Sequence, residues 1–132
     1  MERPARSHPL IFVVDPEPDF LAAIEQVLQM EGYRATVCLL TDDPFAAIVQ
    51  RPPDLLVIAF PYHNPLAWKL LDRLDADPVT SAIPIIATST DPDNLTAFTA
   101  REQHHRHEAV LLKPFDIDSI LALIGRLTFV SP

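Results

Sequence analysis

Five short apolar runs, each followed by a stretch with helical spacing, limit what this chain can fold into. The runs are LIFVV (10–14), RATVCLL (34–40), LLVIA (55–59, running on into Phe60 and Pro61), IPIIATS (83–89) and AVLLK (109–113). Near-continuous apolar strands, unlike alternating ones, imply burial on both faces of a sheet. The intervening segments carry helical stripes. EPDFLAAIEQVLQMEGY places Phe20, Ile24, Val27 and Leu28 on one face and stops at Gly32, and DDPFAAIVQR (42–51) is a short helix with Asp43 ahead of Pro44 at its start. PLAWKLLDRLDAD (65–77) carries Leu66, Leu70, Leu71 and Leu74, while DPDNLTAFTAREQHHRHE (91–108) opens with a good cap and carries Leu95 and Phe98. DIDSILALIGRLTFV (116–130) turns Ile117, Ile120, Leu121 and Ile124 inward. Strand and helix alternating five times predict parallel pairing through right-handed crossovers, hence a doubly wound, five-stranded parallel α/β sheet.

A length of 132 residues suits one core, read as a single domain over 10–130 behind an N-terminal tail (1–9). The 14 prolines, against two glycines, cluster at segment edges, where they start helices and stiffen loops. A net charge of −8 argues against nucleic acid as a partner, since phosphate contacts need a basic surface. No apolar run is long enough to span a membrane, and five apolar residues before Asp15 are too few for a signal-peptide core. A soluble cytoplasmic chain is the expectation. The single cysteine, Cys38, excludes an internal disulfide and reads as a small core residue.

Four stretches then line up with one family. FVVDPEP after the first strand, PDLLVIAFPYHNPLAWKLLDRL in the middle, IPIIATST, and LLKPF before the last helix resemble the receiver domain of bacterial response regulators (CheY-like), from about Leu10 to Leu127. The resemblance implies a flavodoxin-like sheet of strand order 2-1-3-4-5, with its working site at the carboxyl edge. In that family an acidic pair after the first strand and an aspartate ending the third hold Mg²⁺. The latter aspartate is also the phosphoacceptor. A hydroxyl ending the fourth strand and a Lys-Pro ending the fifth contact the phosphoryl group, and an aromatic residue in the fifth strand reports the switch.

Carried over residue by residue, the match is incomplete. Asp15 holds the first acidic position, but Pro16 holds the second, and Glu17 comes one residue late with a side chain long enough to reach back. Ala59 stands at the phosphoacceptor position, and a methyl group accepts no phosphoryl group. Ser89, Lys113 and Pro114 match, Val110 stands at the switch position, and His63 and Ala67 replace the usual loop proline and glycine. With Asp15 as the one matching ligand, Mg²⁺ binding is not expected, because that ion needs several oxygen donors in octahedral array. The family likeness implies a cis Lys113–Pro114 peptide.

Each remaining residue has a plain reading beside a functional one. Lys113 either contacts an anion at the sheet edge or pairs with Asp15, and the pair is the simpler reading. Ser89 and Thr90 cap the turn after the fourth strand more readily than they serve a ligand. His104, His105 and His107 do not share one helix face, so a solvated helix end fits them better than a metal site. Trp68 is offset from its leucine stripe and suits either the helix border or an exposed contact patch.

The expected function is therefore a stand-alone pseudo-receiver of a two-component or phosphorelay system, a binding module and not an enzyme. It would act on a separate protein partner, or a second copy, through the face the family uses, roughly residues 92–128. A different reading is a small ligand or anion held in the vacated pocket beside Asp15, Ser89 and Lys113. A third is a conventional Mg²⁺-dependent phosphorylated regulator.

Overall fold

A computed structural model describes residues 8–102, 105 and 107–128. Five parallel strands, β1 (Leu10–Asp15), β2 (Arg34–Leu39), β3 (Leu55–Ala59), β4 (Ile85–Ser89) and β5 (Glu108–Leu112), form one sheet in the order β2-β1-β3-β4-β5. Five helices follow them in turn: α1 (Pro18–Met30), α2 (Phe45–Gln50), α3 (Leu66–Ala76), α4 (Pro92–Thr99) and α5 (Ile117–Thr128). This is the CheY-like, flavodoxin-type arrangement that the strand-helix alternation and the resemblance predicted. Among the described residues no helix is long and apolar enough to cross a membrane.

Side chains on a strand alternate between faces, so each central strand feeds two cores. Phe12, Val14, Leu56, Ile58, Ile85 and Ala87 pack with Ile48, Leu70, Leu71, Leu74, Leu95 and Phe98 of α2, α3 and α4. Ile11, Val13, Leu55, Val57 and Ile86 pack on the other face with Leu21, Ile24, Leu28, Ile120, Ile124 and Leu127 of α1 and α5. Burial on both faces holds for β1, β3 and β4 throughout their length. It does not hold for β2 and β5, which form the sheet edges and are only partly covered.

The expected helical stripes shift by a residue in several places. Leu21 enters the α1 core and Val27 is half-buried; Ala67 is buried in α3 while Leu66 is exposed; in α5, Leu127 is buried and Ile117 is exposed. Terminal positions of a stripe point past the end of the sheet, and there the residue on the inward side is buried in their place. Asp43 does not cap α2. It takes a left-handed φ of 48° and accepts a hydrogen bond from Arg73 Nη1 at 2.9 Å. Gly32 takes φ 89° directly after α1, a conformation that costs glycine nothing. Cys38 is half-buried against the α2–α4 core, not enclosed within it.

The largest departure lies after α4. The segment predicted as one helix over 91–108 is helical only to Thr99, and β5 begins at Glu108. His105 is consequently no solvated helix end: it is buried, with 4% of its surface exposed. His104 lies outside the described residues.

Candidate functional site at the carboxyl edge of the sheet

Register brings the site residues together. Ala59 stands beside Thr88 and Ser89 beside Leu112, so the ends of β3, β4 and β5 lie level, and Lys113 leaves the sheet next to Ser89. Ala59 continues the side-chain phase of Leu55 and Val57, and Asp15 that of Ile11 and Val13, so the two face the same side of the sheet. A cavity of about 170 Å³ opens there, lined by Pro16, Glu17, Ala59, Ser89 and Lys113 together with Phe60, Pro61, Tyr62 and Thr90. The Lys113–Pro114 peptide that follows is cis.

Asp15 is 1% exposed and makes two contacts. Its Oδ1 accepts the Glu17 backbone N–H at 2.9 Å, and its Oδ2 accepts from Lys113 Nζ at 2.7 Å. The Lys113 ammonium also lies 4.8 Å from the centre of the Phe20 ring, a cation–π distance that adds to its hold. Glu17 thus reaches Asp15 through its backbone, in an Asx-type turn that leads into α1.

Ser89 works on the loop. Its Oγ donates to the Phe60 carbonyl at 2.7 Å and accepts the Asp91 N–H at 3.0 Å. Asn94 Nδ2 donates to the same carbonyl at 2.9 Å, so two side chains pin the exit of β3 from one side. Asp91 caps α4 by accepting the Asp93 N–H at 3.1 Å. Phe60 is fully buried, its ring 4.7 Å from Trp68 and 5.6 Å from Phe98. Trp68 satisfies both sequence readings: it packs on the core and also lines a groove of about 350 Å³ with Tyr62, His63, Pro65 and Asn94. His63, in the position of the missing loop proline, takes a left-handed φ of 56°.

Few donors for a divalent cation meet here, Glu17 being the one further carboxylate on the wall. One carboxylate ends β1, both of its oxygens are engaged, a proline follows it, and a methyl group ends β3. Among the described residues no group of three or more His, Cys, Asp or Glu side chains is gathered to hold a metal.

Val110 is not part of this cavity. It is 40% exposed on β5 and lines a separate groove of about 360 Å³ with Leu95, Thr96, Thr99 and Ala100 of the α4 segment. Leu112, 47% exposed, points to the same side two residues on. Sequence reasoning missed Asn94, although its place in the first turn of α4, just past the Asp91 cap, is a spot from which a side chain reaches the preceding loop.

No family model matches the chain. Among curated proteins it is similar to the phosphate regulon transcriptional regulatory protein PhoB of Pseudomonas aeruginosa, 34% identical over 76 residues that make up 58% of this chain and 33% of PhoB. The match thus spans a third of that relative's length. Among solved structures it resembles a response regulator receiver domain (CheY-like) from Methylobacillus flagellatus, at 21% identity and a TM-score of 0.74 over 92% of this chain and 99% of that one. It also resembles the receiver domain of a Francisella response regulator, at 20% identity and a TM-score of 0.76 over 92% and 97%. The chain thus has the fold of CheY-like receiver domains.

Proposed function

We propose that this receiver-type domain acts in two-component signalling through protein contact and takes neither Mg²⁺ nor a phosphoryl group. The observation that carries this reading is Ala59 at the end of β3, opposite a Lys113 whose ammonium is already held by Asp15. Phosphoryl transfer depends almost wholly on positioning and charge stabilisation around an in-line nucleophile, and here the nucleophile and most metal donors are missing together. Contact with a partner or a second copy would use the α4–β5–α5 face. Val110 and Leu112 are exposed apolar side chains on β5 there, beside a groove that Leu95 lines. An anion in the cavity has less support. Lys113 is partnered, and Glu17 puts a second carboxylate on the wall.

Two measurements test the reading. Incubation with Mg²⁺ and acetyl phosphate, followed by intact mass, is expected to leave the mass unchanged, and beryllofluoride with Mg²⁺ is expected to leave Trp68 emission unchanged. A phosphoryl mass increment would overturn the proposal. Light scattering of the chain and of Val110→Arg and Leu112→Arg, alone and with captured partners, checks the face. Association that both variants leave untouched would move the contact elsewhere.

A further inference from the structure

At the opposite edge of the sheet a buried histidine joins three elements. His105 Nε2 lies 2.7 Å from Asp75 Oδ1 in the last turn of α3, and its Nδ1 lies 2.7 Å from the carbonyl oxygen of Ile83, just ahead of β4. Its backbone N–H donates to Glu108 Oε2 at 2.7 Å, where β5 begins. Arg101 completes the cluster: Nη2 donates to Glu108 Oε2 at 2.9 Å, Nε lies 3.6 Å from Asp75 Oδ2, and the guanidinium stacks 4.3 Å above the Phe98 ring.

A carbonyl and a carboxylate only accept hydrogen bonds. A neutral imidazole carries one N–H and can serve one of them, whereas an imidazolium serves both. We propose that His105 is a proton-operated latch: as an imidazolium it ties α3, the start of β4 and the α4–β5 connection together, and loss of one proton opens it. The charge-assisted bond to Asp75 is the stronger of the two, so the remaining proton stays on Nε2. The Nδ1 lone pair then faces the Ile83 oxygen at 2.7 Å, and the two must separate. Among the described residues, Asp75 from α3, Arg101 from the segment after α4 and Glu108 at the start of β5 are the charged groups of this cluster, with His107 next in sequence; Thr80–Ala82 and β4 carry none. Arg101 also donates to the Phe98 carbonyl at 3.1 Å, so the latch bears on the end of α4 and on the groove beside Val110. A domain without its phosphoacceptor would thereby keep an input on its contact face. The latch does not depend on the contact proposal, since it can be read without any partner.

The test is a long-range ¹H–¹⁵N spectrum of the histidine rings in the intact chain, from about pH 5.5 to about 8.5, where imidazoles titrate. The result expected is two protonated ring nitrogens at the acidic end. At the alkaline end the Nδ1 proton should be lost, with amide shifts concentrated at Arg101, Glu108 and the residues around Ile83. The wild type is also expected to lose about 3–6 °C more in Tm across that range than His105→Gln. Asp75→Asn, which removes the anion but keeps the shape, should bring ring deprotonation to lower pH. A single-proton ring throughout, a proton lost without movement of those amides, or an unchanged titration in Asp75→Asn would each overturn the proposal. The wild-type spectrum decides the matter even if His105→Gln does not fold.

Discussion

Lys113 Nζ and Asp15 Oδ2 meet at 2.7 Å across 98 residues of chain. The pair closes the carboxyl edge of the sheet: a cation from the end of β5 satisfies a carboxylate that the end of β1 buries. It also explains why that carboxylate tolerates so little solvent beside an alanine, because its charge is balanced within the protein.

Removing the cation should therefore cost stability. Lys113→Met leaves Asp15 buried with the Glu17 N–H as its remaining partner and is expected to lose about 3 kcal/mol in urea unfolding at neutral pH. Asp15→Asn combined with Lys113→Met should recover most of that loss, because no unpaired charge stays inside. A single variant within about 0.5 kcal/mol of wild type would show that the pair contributes little.

Ser89 is expected to matter as a loop clamp. Ser89→Ala removes a buried donor to the Phe60 carbonyl and an acceptor for the Asp91 N–H. Asn94 still serves the carbonyl, so the loss should be about 1–2 kcal/mol and not the full penalty of an orphaned group. Ser89→Ala with Asn94→Ala should lose more than the sum of the two, which a double-mutant cycle reads directly.

Phe60 joins the β3 exit to the α3 and α4 packing. Phe60→Ala opens a cavity beneath Trp68 and Phe98 and is expected to cost about 3–5 kcal/mol. Trp68 is the single tryptophan, so its emission should report the loss of its ring neighbour. An unchanged spectrum in the folded variant would contradict the packing described.

Burial pushes the Cys38 thiol up, and the carboxylates of Asp42 and Asp43 push it the same way. The folded chain therefore holds the thiol proton more firmly than the unfolded chain. The stability this contributes is intact below the ordinary thiol range and falls away as pH rises through it. Alkylation of Cys38 at about pH 8 should run slower in the folded chain than in urea. Cys38→Ala should flatten the alkaline limb of the stability profile.

The sheet is readable in the sequence because its central strands announce themselves. LIFVV and LLVIA are apolar without a break and IIATS is apolar up to its two closing hydroxyl residues, and a parallel sheet covered on both sides is the arrangement that can bury all of them. The edge strands were less legible, since RATVCL and EAVLL are half-covered and their pattern is mixed. Leu66 and Ile117 were expected inside and lie outside, because helical spacing fixes a direction but not where the sheet stops beneath it.

At the site, the alanine that closes β3 was visible in the sequence, since Ala59 can be counted off from Pro53 and Asp54. Of what holds that edge together, the Asp15–Lys113 pair and the Ser89 turn cap were legible as well, and the rest was not. The Asn94 hold on Phe60 spans 34 residues, and the contacts of His105 to Asp75 and Ile83 span 30 and 22. A histidine in QHHRHE looks solvated until α4 stops at Thr99 and the chain turns it under β4.

By itself, then, the sequence determined the alternation of elements, the parallel sheet and the alanine that ends its third strand, because strand and helix periodicities and residue identity are local properties. The tertiary structure alone decided that Asn94 meets Phe60 and His105 meets Asp75, and it chose the Asp15 pair between the two sequence readings of Lys113. Those partners are far apart along the chain, and only closure of the sheet brings a buried charge or carbonyl within hydrogen-bonding distance of the group that satisfies it.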